Sequence, residues 1–272
     1  MVPLAIGTQT GGSIIRPASY CGVVGFKPTF GHLSVAGVKP LSHSLDTLGC
    51  FVRSAEDLRI FRQAIWNVSE EESANKNFPK IGFCRTPDWE KAGPSTQNAL
   101  ENARQTWSNL GVEIIDVQLP EEFSALGDAH GYIMVYEAGQ NLRYELNHHQ
   151  SLLSKRLRSY FEKPIRFEEY QEALKLTRLC RNRMQEVFDS CDVLLTPSAP
   201  DEAPHGLDYT GDTVFNRMWT MLQLPTLTLP SIRGAHQLPV GVQLIGDYGT
   251  DDDLIGYAIS LENILNSTWE SE

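Results

Sequence analysis

The chain has 272 residues, 41% hydrophobic and 21% charged, which is enough apolar mass for one large core and too little charge for a disordered chain. Its formal net charge of -11, from 34 acidic and 23 basic side chains, repels phosphate backbones and argues against nucleic acid as a partner. No apolar run approaches the roughly 20 residues a bilayer-spanning helix needs, so no membrane partner is expected either.

In chain order, the apolar start Met1 to Ile6 is short and has no basic lead, so it reads as a buried strand and not as a signal peptide. Residues 7–53 are loop-rich. Ser54-Ala55-Glu56-Asp57 has the form of a capping box, with Leu58, Phe61, Ala64 and Ile65 following at helical spacing. Residues 69–79 form the one polar, exposed connection. Lys80 to Cys84 reads as a strand. Pro94 opens a helix whose apolar face is Leu100, Ala103, Trp107 and Leu110, Gly111 stops it, and Val112 to Val117 is again a strand. That strand–helix–strand order predicts a crossover and a mostly parallel sheet.

Residues 124–190 read as helical, with Tyr170, Ala173, Leu174, Thr177, Met184, Val187 and Phe188 on a core-facing side. Three further strands are expected at 192–197, at 224–230 between prolines, and at 240–245. Asp251, Asp252 and Asp253 then suit the positive end of a final helix carrying Leu254, Ile255, Ala258, Ile259 and Leu261; they lack the alternating spacing of a calcium loop. No repeat interrupts this order, so residues 1–272 are expected to form a single domain. The five cysteines (Cys21, Cys50, Cys84, Cys180, Cys191) are scattered and odd in number, which suits free or buried thiols in the reducing cytoplasm.

The sharpest local feature is Gly7-Thr8-Gln9-Thr10-Gly11-Gly12-Ser13-Ile14-Ile15-Arg16-Pro17. Paired glycines let the backbone adopt unusual conformations and bring amides close to a ligand. Convergent N–H groups of Thr10, Gly11, Gly12 and Ser13 beside a hydroxyl are what acyl transfer needs, because the tetrahedral oxyanion must be stabilised as it forms. A phosphate-binding loop would place Lys where Ser13 stands, and a nucleophile elbow would place Gly at Ile15. On pattern alone, a structural turn is the leading alternative.

The run Gly7 to Pro17, continued by Ala18-Ser19-Tyr20-Cys21-Gly22-Val23-Val24-Gly25-Phe26-Lys27-Pro28-Thr29, resembles the signature block of the amidase-signature family. Ser44 to Gly49, Val52 to Asp57, Thr210-Gly211-Asp212, Phe215-Asn216 and Leu238 to Gly246 resemble further segments of it. The resemblance implies an α/β fold, a mixed, mostly parallel sheet surrounded by helices and incomplete at its N-terminus. It also implies hydrolysis of carboxamide C–N bonds through a Ser acyl-enzyme, with no cofactor and no metal. By the same resemblance Ser13 is the nucleophile, the amides of Thr10, Gly11, Gly12 and Ser13 form the oxyanion hole, and Thr8, Gln9 and Arg16 support it. The implied partner is a small-molecule amide substrate, with a homo-oligomer as an option.

Three departures accompany the likeness. Gln9 stands where the family usually has Asp, and Arg16 lies one place later than in the commonest form. The family's Lys base and its cis-peptide Ser lie upstream of the block and have no counterpart here. The expectation is therefore a hydrolase that is inactive or crippled as this isolated chain, with a truncated, non-catalytic remnant as the alternative and an amidotransferase A-subunit-like protein as a further one. Lys27, and a triad of His43 and Asp46 with Ser13, are weak substitutes for the base; His130 and the pair His148-His149 lack metal-ligand spacing. Substrate choice is expected to rest on 124–190 and 205–220, with Phe215, Met218 and Trp219 as candidate pocket residues and core packing as the leading alternative for them.

Overall fold

The computed structural model describes residues 2–66 and 78–269. In chain order the elements are β1 (Leu4–Gln9), α1 (Ile15–Cys21), β2 (Val24–Lys27), β3 (Thr47–Val52), α2 (Asp57–Trp66), β4 (Ile81–Cys84), α3 (Pro94–Asn109), β5 (Ile114–Val117), α4 (Leu126–Asn141), α5 (Arg143–His148), α6 (Lys155–Ser159), α7 (Phe167–Phe188), β6 (Val193–Pro197), α8 (Arg217–Met221), β7 (Thr226–Arg233), β8 (Pro239–Gly246) and α9 (Asp251–Trp269). The strands join in one sheet of order β1-β3-β2-β7-β8-β6-β4-β5.

The sheet is mixed and wrapped by helices, as expected, but parallel pairing is confined to β6-β4-β5. The remaining neighbours, β1/β3, β3/β2, β2/β7, β7/β8 and β8/β6, are antiparallel, so "mostly parallel" is corrected. The physical reason is connection length. The α3 crossover is long enough to return β5 parallel to β4, whereas β7 and β8 are joined by a tight turn in which Gly234 N donates to Leu238 O and Gln237 N donates to Gly234 O.

Strand alternation fills both faces. On one face Val193 and Leu195 of β6, Leu227 and Leu229 of β7, and Val240, Val242 and Leu244 of β8 pack with Leu58, Phe61, Leu100, Trp107, Leu254 and Leu261 from α2, α3 and α9. On the other, Leu194 and Ile245 meet Leu126, Ile133, Ala173, Met184 and Trp219 from α4, α7 and α8. Each such large side chain contributes about 1.5–3 kcal/mol on burial. Trp107 is fully buried, and its indole N–H is satisfied by Leu261 O at 3.1 Å.

Several local expectations are corrected. The first strand is an edge strand, with Ile6 51% exposed, and is not buried. The loop-rich reading of 7–53 missed α1, β2 and β3, which are short and broken by Gly and Pro. Helix α2 starts at Asp57 without the capping box, because the Asp57 carboxylate pairs with Arg53 and the Ala55 amide is taken by Glu262. Ala64 and Ile65 of α2 face outward, as does Leu110 after α3. Pro230 does not end its strand; it sits inside β7 at a register shift, which a missing N–H tolerates. The polar connection expected at 69–79 lies outside the described residues up to 77. All five cysteines are free thiols; Cys21 is exposed and the others are buried.

Candidate active site

The glycine run leaves the end of β1, turns at Thr10 to Ile14 and enters α1. Gln9 organises this turn. Its side chain is fully buried; Oε1 accepts from Ile14 N at 2.8 Å and Ile15 N at 3.1 Å, and Nε2 donates to Thr220 Oγ1 at 3.0 Å. Those two amides open α1 and have no carbonyl one turn earlier to meet, so the Gln9 oxygen supplies what the helix lacks. Thr220 Oγ1 in turn donates to Gly11 O at 2.8 Å. From the other side Thr10 Oγ1 donates to Asp46 Oδ1 at 2.6 Å, and Asp46 Oδ2 accepts from Leu41 N and Ser42 N.

His130, buried on α4, contacts Thr10 O through Nε2 at 2.9 Å. A carbonyl only accepts, so Nε2 carries the proton. Burial, with the nearby Arg217 charge adding to it, pushes the His130 pKa down to about 4 despite the Thr10 contact. The ring is therefore a neutral donor at neutral pH. Close packing under the turn requires glycine: a Cβ on Gly12 would lie 2.3 Å from Asn216 Oδ1. Asn216 is itself fully buried and donates to Ser198 O and Gln243 Oε1.

Held this way, the turn presents Ser13 at the surface, where its side chain borders two clefts. The larger, about 620 Å³, is walled by the glycine turn, by α4 from Gly127 to Val135, by Arg156, Tyr160 and Ile165, and by Tyr209 to Thr213 with Arg217. The smaller, about 350 Å³, lies towards Val35, Val38, Lys39 and His43. Among the described residues, no acceptor is paired with the amides of Gly11, Gly12 or Ser13. Thr10 to Ser13 thus join a solvent-facing hydroxyl to free main-chain donors, the arrangement acyl transfer needs.

The remaining sequence-predicted residues fall as follows. Thr8 is exposed on β1 and borders the smaller cleft. Arg16 is buried on α1 and borders the larger, its guanidinium donating to Gly211 O at 3.2 Å and Thr210 Oγ1 at 3.4 Å; burial lowers its pKa from the ordinary value, which the adjacent Tyr20 partly offsets. Phe215, Met218 and Trp219 are corrected: they are at most 7% exposed, pack in the interior and do not line either cleft. Helix α8 turns its apolar side to α4 and α7 and only Arg217 to the cleft. The broader segments 124–190 and 205–220 do supply the cleft wall.

Lys27 is fully buried away from both clefts, its ammonium donating to Leu224 O at 2.7 Å and Pro28 O at 2.9 Å, and burial lowers its pKa to about 7. His43 faces Glu137 at 3.3 Å and not Asp46, whose oxygens are occupied, so the triad is not assembled. His148 and His149 are exposed at the end of α5 and contact Tyr144. Sequence reasoning missed Glu137, which is fully buried and accepts from Ser42 Oγ, Ser44 N, Ser44 Oγ and Tyr170 OH, fixing the loop that carries Asp46. It also missed Thr220 and the structural role of His130; no short-range pattern marks either.

Comparison with known proteins bears on this site. The family model described as Amidase matches residues 1–255. The A subunit of glutamyl-tRNA(Gln) amidotransferase from Neisseria gonorrhoeae (strain ATCC 700825 / FA 1090) is 30% identical over 100% of this chain and 66% of its own length. Its counterpart in Clostridium botulinum (strain Eklund 17B / Type B) is 29% identical over 96% of this chain and 63% of its own. The chain thus spans about two thirds of the length of the curated relatives it matches. Among solved structures, an amidase superposes with a TM-score of 0.87 at 26% identity, covering 96% of this chain and 63% of that one. An inhibitor-bound structure from a vestigial protein complex, described as revealing the origins of an s-triazine catabolic enzyme, gives 0.83 at 25% identity over 98% and 63%. With the glycine turn, its buried supports and a family match over nearly all of its length, this chain belongs to the Amidase family.

Proposed function

We propose that the protein is an amidase-type hydrolase of carboxamide C–N bonds, with Ser13 as its nucleophile. The observation that carries this is the exposed Ser13 hydroxyl beside the unpaired amides of Gly11, Gly12 and Ser13. In this reading Ser13 Oγ adds to the amide carbonyl carbon, and the developing oxyanion is met by those amides, each worth about 3 kcal/mol of the barrier. The C–N bond breaks, the amine leaves with a proton, and water hydrolyses the Ser13 ester to the acid.

The Ser13 proton needs an acceptor. Among the described residues bordering the clefts, Lys39 is paired with Glu145 at 2.8 Å, His43 faces Glu137 and His130 is engaged at Thr10 O. By the family resemblance the base is a Lys carried upstream of the glycine block, and this chain alone is expected to turn over poorly. The test is amide hydrolysis by the chain alone, by the chain mixed with the N-terminal third of a matched relative, and by the Ser13→Ala variant of the mixture. Turnover in the mixture only, lost with Ser13→Ala, supports the reading. Turnover that survives Ser13→Ala refutes it, and silence in the mixture favours a non-catalytic remnant.

A second reading, an amidotransferase A-subunit-like protein working with a partner chain, is favoured by the names of the curated relatives. Co-purification of the tagged chain with a stoichiometric second protein would support it over a stand-alone or homo-oligomeric hydrolase.

A further inference from the structure

Three successive carbonyls of the glycine turn are each taken by a donor. His130 Nε2 donates to Thr10 O at 2.9 Å, Thr220 Oγ1 to Gly11 O at 2.8 Å and Arg16 N to Gly12 O at 3.1 Å. The last is an ordinary bond of the first turn of α1. The first two come from side chains on α4 and α8, across 120 and 209 positions of sequence. The Thr220 hydroxyl has one proton to give. Asn216 O, its other acceptor at 3.2 Å, already receives Thr220 N at 3.0 Å, so the shorter contact to Gly11 O takes that proton while Gln9 Nε2 donates to the hydroxyl oxygen.

Each of these bonds also sets the far side of its peptide. No peptide bond among the described residues is cis, and in a planar trans peptide the C=O and the following N–H point in opposite directions. Drawing Thr10 O to His130 therefore turns Gly11 N–H away from that ring. Drawing Gly11 O to Thr220 turns Gly12 N–H away from α8, and the helix bond at Gly12 O turns Ser13 N–H away from Arg16. These are the same three amides that have no acceptor among the described residues, and all three residues border the larger cleft. Gly11 and Gly12 are buried, where an unpaired main-chain donor is rare. Adjacent N–H groups turned to one concavity attract an anion.

We infer that His130 and Thr220 are positioning residues of the oxyanion site: by holding the carbonyls of Thr10 and Gly11 from behind, they aim the amides of Gly11 and Gly12 at the cleft. This rests on the Ser13 reading above and adds to it the side chains that set its donors. Neither residue touches the reacting atoms. The turn needs such holders because of its own glycines. Gly11 and Gly12 lack the Cβ that restricts φ and ψ, so the peptides on either side of Gly11 are free to rotate as units and carry their N–H groups out of the cleft. The freedom that lets the backbone approach a substrate closely is removed by two buried side-chain donors on separate helices.

The experiment follows the amide protons of Gly11, Gly12 and Ser13 by NMR on the full, nitrogen-labelled chain while formate, a small oxyanion, is added. In the parent all three amides are expected to shift together with one affinity. Thr220→Val, which keeps the shape and removes the hydroxyl, and His130→Leu are each expected to weaken that affinity about tenfold, with folding checked by melting temperature. Thr220→Ser and His130→Gln return a donor to the same carbonyl and are expected to restore it. An affinity that follows the donor and not the melting temperature separates positioning from plain stability; if His130→Leu unfolds, the Thr220 pair carries the test. Parent amides that ignore formate, an unchanged affinity in a folded Thr220→Val, or no recovery in Thr220→Ser overturn the inference. Ser13 is tested apart with propylboronic acid, whose boron accepts the Ser13 oxygen: a tetrahedral boron signal should vanish in Ser13→Ala while formate binding stays at the parent level. A boron signal that survives Ser13→Ala removes the nucleophile and leaves the aimed amides standing.

Discussion

Replacing Gln9 by Met keeps the length and most of the volume of the side chain but removes all three of its hydrogen bonds. The amides of Ile14 and Ile15 then lose the acceptor they share, at 2.8 and 3.1 Å, in a place that is fully buried. They open a helix, so no carbonyl one turn back takes them over. Thr220 loses the Gln9 Nε2 donor but keeps its own bond to Gly11 O, so its share of the loss is small. At about 1–3 kcal/mol for each stranded donor, the loss is about 2–6 kcal/mol against a typical total of about 5–15. With about 2–4 °C per kcal/mol for a chain near this size, a mid-range loss lowers the melting point by roughly 8–16 °C. Differential scanning fluorimetry or calorimetry reads this directly, with Ile6→Met, an exposed change on the same strand, as the control. A Gln9→Met protein melting within about 2 °C of the parent would refute the claim that Gln9 bears the turn.

Two further predictions concern residues around the site. Trp219→Ala should cost about 3–5 kcal/mol in urea unfolding, as a core truncation does; a small stability loss with altered ligand binding would instead restore it to the pocket. His130 gives a pH signature. Its folded pKa is depressed to about 4 from 6.5, so between those values the unfolded chain binds the extra proton. Stability is then fully present above about pH 6.5 and falls as pH drops towards 4, by up to about 1.4 kcal/mol per pH unit. His130→Gln, which keeps an N–H for Thr10 O, should flatten that slope relative to the parent in unfolding measured at pH 5 and pH 7. Parallel slopes for the two proteins would count against a neutral, buried ring.

Elements with a long regular pattern were legible in the sequence. The Pro94 start and Gly111 stop of α3, the inward face of α7 and the acidic first turn of α9 all follow from periodicity and end chemistry. What escaped was short or non-local. β2 is four residues long and its neighbours in the sheet come from residues 47–52 and 226–233, so nothing near it in sequence announces a strand. The glycine turn was recognisable as a site, yet its supports were not: Glu137, Thr220 and Asn216 look like ordinary helix residues until the fold buries them. The pocket reading of Phe215, Met218 and Trp219 failed, and their core reading held, for the converse reason. Large apolar side chains suit a pocket and a core equally, and only the orientation of α8 distinguishes the two.

The turn bearing Ser13 is fastened by partners very distant along the chain: Gln9 to Thr220 across 211 positions and Gly11 to Thr220 across 209, with the adjoining helix tied to Gly241 across 222. A nascent chain therefore cannot rigidify this turn until Thr220, 211 positions beyond Gln9, has been made. Premature termination anywhere before α8 would leave that serine on a slack loop, however intact its own neighbourhood in sequence.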